Sequence, residues 1–159
     1  MSFALLLLLA LGVVMCRRRQ RPAGVQWTEC ALEHGTPERR EVQIFDITTD
    51  KESYALGDDM ETTVRGRVTK GCLDHPVLVA DVRQDGVTFR TVEFPLCTLP
   101  DAQCPVCEGE DFAFTISQDI PNMHYLHRFL DKPFQVRSHV EDAEERLSCV
   151  SFPLVVTAE

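Results

Sequence analysis

From Glu41 onward the chain alternates apolar and polar residues with a period of two. Phe112, Phe114 and Ile116 alternate with Asp111, Ala113 and Thr115, while Phe134, Val136 and Val140 stand against Gln135, Arg137 and His139. Successive side chains of a strand point to opposite faces, so these segments read as strands with one buried face. Val64 and Val68 recur in the same way in TTVRGRVT. PVLVADV meets VTFRTVEF across Gln84-Asp85-Gly86, where Asp-Gly is a strong signal for a tight hairpin turn. LSCVSFPLVV is also β-rich, and Pro153, which has no N–H to give a neighbour, predicts an edge or a bulge there. With EVQIFDI these make about seven strands at short spacing. The expected fold is all-β, an immunoglobulin-like two-sheet antiparallel sandwich. Between Ile120 and Pro133 the chain reads PNMHYLHRFLDK, a long connection that keeps several large apolar groups.

Ahead of the strands, Phe3 to Met15 is a run of thirteen uncharged, almost wholly apolar residues. A membrane-spanning helix needs roughly 20 such residues, and a secretory h-region about 7 to 15. The run therefore reads as a signal peptide, with residues 1–23 as leader and 24–159 as a single domain. Arg17, Arg18, Arg19 and Arg21 follow it closely. Positive charge in that place hinders translocation, so a short anchor is the alternative.

Removing the leader changes both the cysteine count and the charge. Cys16 leaves with it, and six cysteines remain: Cys30, Cys72, Cys97, Cys104, Cys107 and Cys149. An even number in a secreted chain implies three disulfides, and six cysteines allow about fifteen pairings. Loss of the four arginines takes the 16 Lys and Arg to 12 against 25 Asp and Glu, and the formal charge from −9 to about −13. So acidic a chain offers no basic footprint for nucleic acid. At neutral pH it is not drawn to anionic membranes over long range either, a repulsion that weakens as its five histidines gain charge in an acidic lumen.

Three catalytic or metal-binding readings are weak. Cys104-Pro-Val-Cys107 has the spacing of a dithiol oxidoreductase, but that chemistry needs a thiolate activated at a helix N-terminus in a βαβ setting, which the strand pattern does not offer. His124-x-x-His127 with nearby cysteines could be read as a zinc site, yet the spacing matches no paired C-x-x-C site and oxidised sulfurs do not ligate. No G-x-S-x-G nucleophile elbow occurs. The expectation is a protein without enzymatic activity, cofactor or metal.

LCTLPDAQCPVCEGEDFAFTISQDIP, followed by KPFQVRSHVEDAEERLSCVSF, resembles the second half of the ML lipid-recognition domain, and EVQIFDITTDKESYALGDDMETTVRGRV resembles its opening strands. Branches of that family include phosphatidylglycerol/phosphatidylinositol transfer proteins, the Niemann-Pick type C sterol carrier and the ganglioside activator. The likeness runs from about Trp27 to Val156 and is most specific at Leu96-Cys97, Cys104-Pro105 and Leu147-Ser148-Cys149. It implies a sandwich splayed to hold a lipid tail or sterol, with Cys30 bonded to Cys149 and Cys97 to Cys104. Cys72 and Cys107 are then left for each other. Where the family has a patterned glycine and proline turn before the second strand, this chain has Ala55-Leu56-Gly57, so no single branch supplies the ligand class.

The function expected is that of a secreted or endolysosomal protein that holds a phospholipid, sterol or glycolipid and transfers it or presents it to a protein receptor. A secreted interaction module with a filled core is the alternative. Each buried methylene gains about 0.8 kcal/mol over water, and a bilayer offers nearly the same, so exchange between the two is close to balanced. The inward-facing candidates for the cavity are Val64, Val68, Leu78, Val82, Phe89, Phe112, Phe114, Ile116, Phe134, Val136, Val140, Val150 and Phe152. In the long connection, Met123, Tyr125, Leu126 and Phe129, interleaved with histidine and arginine, are candidates for a cavity mouth in transient contact with a membrane.

Overall fold

The computed structural model describes residues 23–30, 41–122, 124–143 and 145–158; the apolar leader and Met123 lie outside them. Seven long strands follow one another: β1 Val42–Thr49, β2 Asp59–Val68, β3 Val77–Gln84, β4 Val87–Pro95, β5 Asp111–Asp119, β6 Phe134–Asp142 and β7 Glu145–Leu154. They occupy the segments that the alternation marks. One sheet runs β1, β2, β5, with Ala23–Gly24 along the outer side of β1; the other runs β7, β6, β3, β4, with Thr28–Glu29 along the outer side of β7. All these pairings are antiparallel. The fold is an immunoglobulin-like two-sheet sandwich.

The period-two pattern works as a packing code. Met60, Thr62, Val64 and Val68 of β2 and Phe112, Phe114 and Ile116 of β5 are buried, and so are Val136, Ser138 and Val140 of β6 and Ser148, Val150 and Phe152 of β7. Burying one large aliphatic or aromatic side chain gains roughly 1.5–3 kcal/mol, so a one-residue slip of any strand would reverse its face and lose most of that. The β3–β4 hairpin turns through Asp85 (φ 49°) and Gly86 (φ 82°), the two positive angles that its tight turn needs. Pro153 lies in the part of β7 beyond Ser151, where Thr28–Glu29 no longer pairs and only β6 is alongside.

β1 breaks the alternation once. Ile44 is opposite Gly66 and Asp46 opposite Arg65, so Phe45 is the extra residue of a bulge. Both Ile44 and Ile47 thereby face the core, while Phe45 stays 49% exposed. Across from the bulge, Gly66 is needed for space. A β-carbon there would lie 2.5 Å from the Phe112 ring and 2.6 Å from the Gln43 carbonyl oxygen, and the latter is backbone that cannot swing away.

The three disulfides are Cys30–Cys149 and Cys97–Cys104, the two pairs that the family resemblance implies, and Cys72–Cys107, the pair left by elimination. The first spans 119 residues, a closure worth about 4 to 5 kcal/mol in the chain-entropy picture. Cys72–Leu73 also pairs with Val106–Cys107 as a small antiparallel ladder. Cys104 and Cys107 enter different bridges, so the C-x-x-C spacing does not form a dithiol pair.

At the β6–β7 end, Glu141 accepts from His139 Nε2 (2.7 Å) and Arg146 Nε (3.0 Å). Burial acts to raise its pKa, but the hydrogen bonds from His139 and Arg146 outweigh it and hold the carboxyl below its ordinary 4.5. A carboxylate depressed on folding contributes stability that is present above its unfolded pKa and lost as pH falls through its folded one.

Substitution at Gly66 and at Glu141 tests the packing and the linkage in turn. Gly66→Ala should lower the urea midpoint by an amount equivalent to about 1–3 kcal/mol with little change in m, the signature of overpacking. Glu141→Gln should reduce stability at pH 6 but converge with the wild type well below pH 4.5; urea titrations across that range check it, and parallel curves at all pH would refute the linkage.

Candidate functional site

The two ends of the sandwich differ. At one, the connections β2–β3 and β4–β5, each crossing from one sheet to the other, are joined by Cys72–Cys107, and Cys97–Cys104 tightens the second. At the opposite end lie the β3–β4 hairpin tip, the start of β6, the end of β7 and the paired ends Asp59 and Asp119. Among the described residues, no disulfide joins this end.

Two mainly apolar spaces lie along the sandwich. Between the sheets is a narrow gap of about 40 Å³, close to the ~30 Å³ share of one water molecule. At the end without disulfides is a cavity of about 400 Å³, within the roughly 300–1,000 Å³ of ligand pockets. Of the cavity candidates, Val64, Leu78, Ile116, Val136, Val140, Val150 and Phe152 line the narrow gap. Val82, Phe89 and Phe134 line the wide cavity. Val68, Phe112 and Phe114 line neither. Val68 is fully buried, and the two rings, 5.1 Å apart, border a separate recess beside the disulfide loop with Asp101, Glu110 and Asp111.

Three segments frame the wide cavity. The first is the turn before β2, where Asp58 Oδ2 accepts from the Ala55 N–H (3.1 Å) and from Lys51 Nζ (2.8 Å). The lysine first, then the backbone N–H, hold the Asp58 carboxyl below its ordinary range. Gly57 (φ 88°) completes the turn and donates its N–H to the Ile120 carbonyl at 2.8 Å. Asp58 and Gly57 thus hold the turn before β2 in place. Nearby, Tyr54 is buried and donates to Asp50 Oδ1 at 2.7 Å; burial, with that carboxylate, pushes its phenol up to about 12.

The second segment is the 3₁₀ stretch His124–Phe129. Leu126 is 7% exposed and turns into the cavity, whereas Tyr125 is 51% exposed on its rim. Phe129 is half-buried, its ring 4.8 Å from that of Phe89, which in turn lies 5.6 Å from Phe134. So among the described mouth candidates only Tyr125 presents most of an apolar surface outward. The rings of His124 and His127 lie 5.4 Å apart, and no group of three or more metal-ligating side chains occurs among the described residues.

The third segment is the β3–β4 hairpin. A bulge at Val82 and Arg83 leaves Phe89 without a cross-strand partner and lets it reach the cavity. Gln84, buried at the base of the turn, donates both hydrogens of its amide to the Phe129 and Lys132 carbonyls at 2.9 Å each. Lys132 returns an ion pair to Asp85 at 3.0 Å. One glutamine therefore fastens the whole 124–132 segment to the hairpin.

The gap between the sheets is apolar except for Thr62 and Gln118 on one side and Ser138 and Ser148 on the other. Thr62 Oγ1 and Gln118 Oε1 are buried without a hydrogen-bond partner. Leaving such an atom unpaired costs about 1–3 kcal/mol. Gln118 lines the gap and the wide cavity alike, so it stands where the two meet.

Period-two alternation marks the apolar residues and not the polar ones in the same register. Met60 and Thr62 share the parity of Val64, and Gln118 continues the series Phe112, Phe114, Ile116. The signal was present as a break in an apolar stripe. Leu56, Leu154 and Val156 of the cavity wall come from turns and strand ends, where alternation carries no information.

Gln84→Leu should leave two carbonyls unpaired. We expect a stability loss of about 1–3 kcal/mol and faster amide exchange confined to residues 124–132 and the hairpin tip, measured by hydrogen exchange with mass spectrometry.

The ML-domain family model matches residues 24–156. No curated protein matches the sequence significantly. Among solved structures, a Niemann-Pick type C2 protein from the Japanese carpenter ant superposes with a TM-score of 0.59 at 13% identity, covering 83% of this chain and 99% of that one. The C-terminal domain of wzt gives a TM-score of 0.51 at 12% identity, covering 90% and 83%. At these identities the superpositions speak to the fold. Three disulfides further mark an extracellular or lumenal protein. By the match over residues 24–156, the chain belongs to the ML-domain family, a family of lipid-binding proteins.

Proposed function

We propose that the protein carries a lipid, taking the tail of a phospholipid or glycolipid, or a sterol, through the end of the sandwich that no disulfide closes. The observation that carries this reading is the 400 Å³ cavity walled by Leu56, Val82, Phe89, Leu126, Phe134, Leu154 and Val156. At the same end of the sandwich Val87, Tyr125 and Val155 are exposed, which suits brief contact with a bilayer during loading and release. The leader at residues 1–23 routes the chain into the secretory pathway, and the carrier works outside the cell or in an endolysosomal lumen. Its cargo is transferred between membranes or presented to a protein receptor. No chemical step is required of it: about 0.8 kcal/mol per methylene is gained in protein and bilayer alike, so passage between them is near balance.

The 40 Å³ gap favours a second reading, a filled-core interaction module. Native mass spectrometry of the secreted protein separates the two. The carrier reading expects a co-purified lipid, or uptake of a fluorescent fatty acid or sterol by the delipidated protein. A well-folded chain that does neither supports the module.

Because Leu126 is buried, the mouth is better tested at exposed positions. Val87→Ser with Tyr125→Ser should slow lipid transfer between vesicles several-fold while the Tm and the equilibrium affinity stay unchanged. An unaltered transfer rate would remove the rim from membrane contact.

A further inference from the structure

We propose that the space between the sheets is a hydroxyl-selective subsite, in which Thr62 and Gln118 hydrogen-bond a hydroxyl group on the buried part of the lipid. The inference rests on the carrier reading and narrows its ligand class to uncharged groups bearing a donor, whether that hydroxyl comes from the end of a tail or from a headgroup that enters first.

The inward stripe of β2 and β5 would be filled by apolar residues if it served packing alone. Instead it is broken twice, on adjacent strands. Thr62 is directly opposite Ile116 and Gln118 opposite Met60, so Thr62 and Gln118 are diagonal neighbours, about 7–8 Å apart at the backbone and within reach of one small polar group. Both line the narrow gap, and each has a buried oxygen with no partner. Gln118 Oε1 accepts only; Thr62 Oγ1 both donates and accepts. A ligand hydroxyl satisfies both at once, donating to the amide oxygen and accepting from the threonine. Ser138 and Ser148 line the gap from the facing sheet, so the polar group meets hydroxyls on both sides.

Charge narrows the ligand further. Among the described residues, no acidic or basic side chain lines the gap. A carboxylate or phosphate placed there would be desolvated with no cation to pair it, whereas a neutral alcohol gains its hydrogen bonds without that penalty. Position matters too, because Gln118 also lines the wide cavity, so a group that has passed the mouth meets it on the way inward.

The test is equilibrium binding of matched probes to the delipidated full domain. Cholesterol, cholesteryl methyl ether and 25-hydroxycholesterol form one set, and stearate with 12-hydroxystearate forms another. At least one hydroxylated probe should bind roughly tenfold or more tightly than its partner without that donor. Cholesterol over its ether assigns the hydroxyl to the ring end; a preference for 25-hydroxycholesterol or 12-hydroxystearate assigns it to the tail. In the Thr62→Val, Gln118→Leu double variant the preference should fall below about threefold, with affinity for the probe lacking the donor equal or higher. The variant should also melt at a higher temperature than the wild type when both are free of lipid, because two unpartnered atoms are gone. Thr62→Ser, which keeps the hydroxyl, should keep the preference.

Lipid binding with no hydroxyl preference in either set overturns this proposal and leaves the carrier reading standing. So does a preference that survives in the double variant. Failure of every probe to bind the wild-type protein overturns both.

Discussion

Among the described residues, the sandwich is closed covalently at one end and by packing and hydrogen bonds at the other. Cys72–Cys107 joins the two connections that cross between the sheets at the closed end, and the 119-residue span of Cys30–Cys149 ties the N-terminal segment to β7. On the carrier reading, this asymmetry sets where a ligand would enter. At the disulfide end the sheets cannot part without dragging both crossings, whereas at the far end they are held by side-chain packing and by hydrogen bonds between segments. The 400 Å³ cavity lies at that end, and the narrow gap extends inward from it with Gln118 at the junction. On the carrier reading, a filled core and a loaded one would be two separations of the same pair of sheets, with buried lipid methylenes replacing the side-chain packing that parting gives up.

The mouth is assembled from pieces far apart in sequence. The turn at Gly57 hydrogen-bonds to Ile120, Gln84 holds the carbonyls of Phe129 and Lys132, and Phe89 packs its ring edge against Phe129. Gln84, the Lys132–Asp85 ion pair and the Phe89–Phe129 ring contact fasten the 124–132 segment to the β3–β4 hairpin. Leu126 beneath and Tyr125 above then serve different ends, one filling the cavity wall and the other meeting what lies outside.

Much of this architecture was legible in the chain. Seven strands and the Asp85-Gly86 hairpin follow from a period of two and from turn chemistry, because both are local properties of the backbone. The family resemblance at Cys97, Cys104 and Cys149 supplied bridges that spacing left open among fifteen. Alternation could not foresee the bulge at Phe45, since one extra residue is defined only against the partner strand. Nor could it distinguish Val68, Phe112 and Phe114 from Val64 and Ile116: all are inward, and only their distance from the disulfide end decides which line the gap. In the long connection, composition gave the apolar residues but not the direction each would face. Gln84 carried no signal at all, because its partners are main-chain carbonyls some 45 residues away.

Charge and shape together suit an encounter that is brief. Without residues 1–23, as the proposed leader would leave it, the domain would carry about −13 of formal charge, so an anionic bilayer would repel it beyond a Debye length of about 8–10 Å at physiological salt. Inside that distance, Val87, Tyr125 and Val155 offer exposed apolar surface at the end of the sandwich that holds the cavity. In a carrier, long-range repulsion with short-range apolar contact would give slow docking and fast release. A basic carrier would instead dwell on the membrane, held by charge after its cargo had passed. For a protein whose ligand is almost equally stable on either side, leaving promptly matters as much as binding. The acidic surface and the small apolar rim are consistent parts of that one requirement.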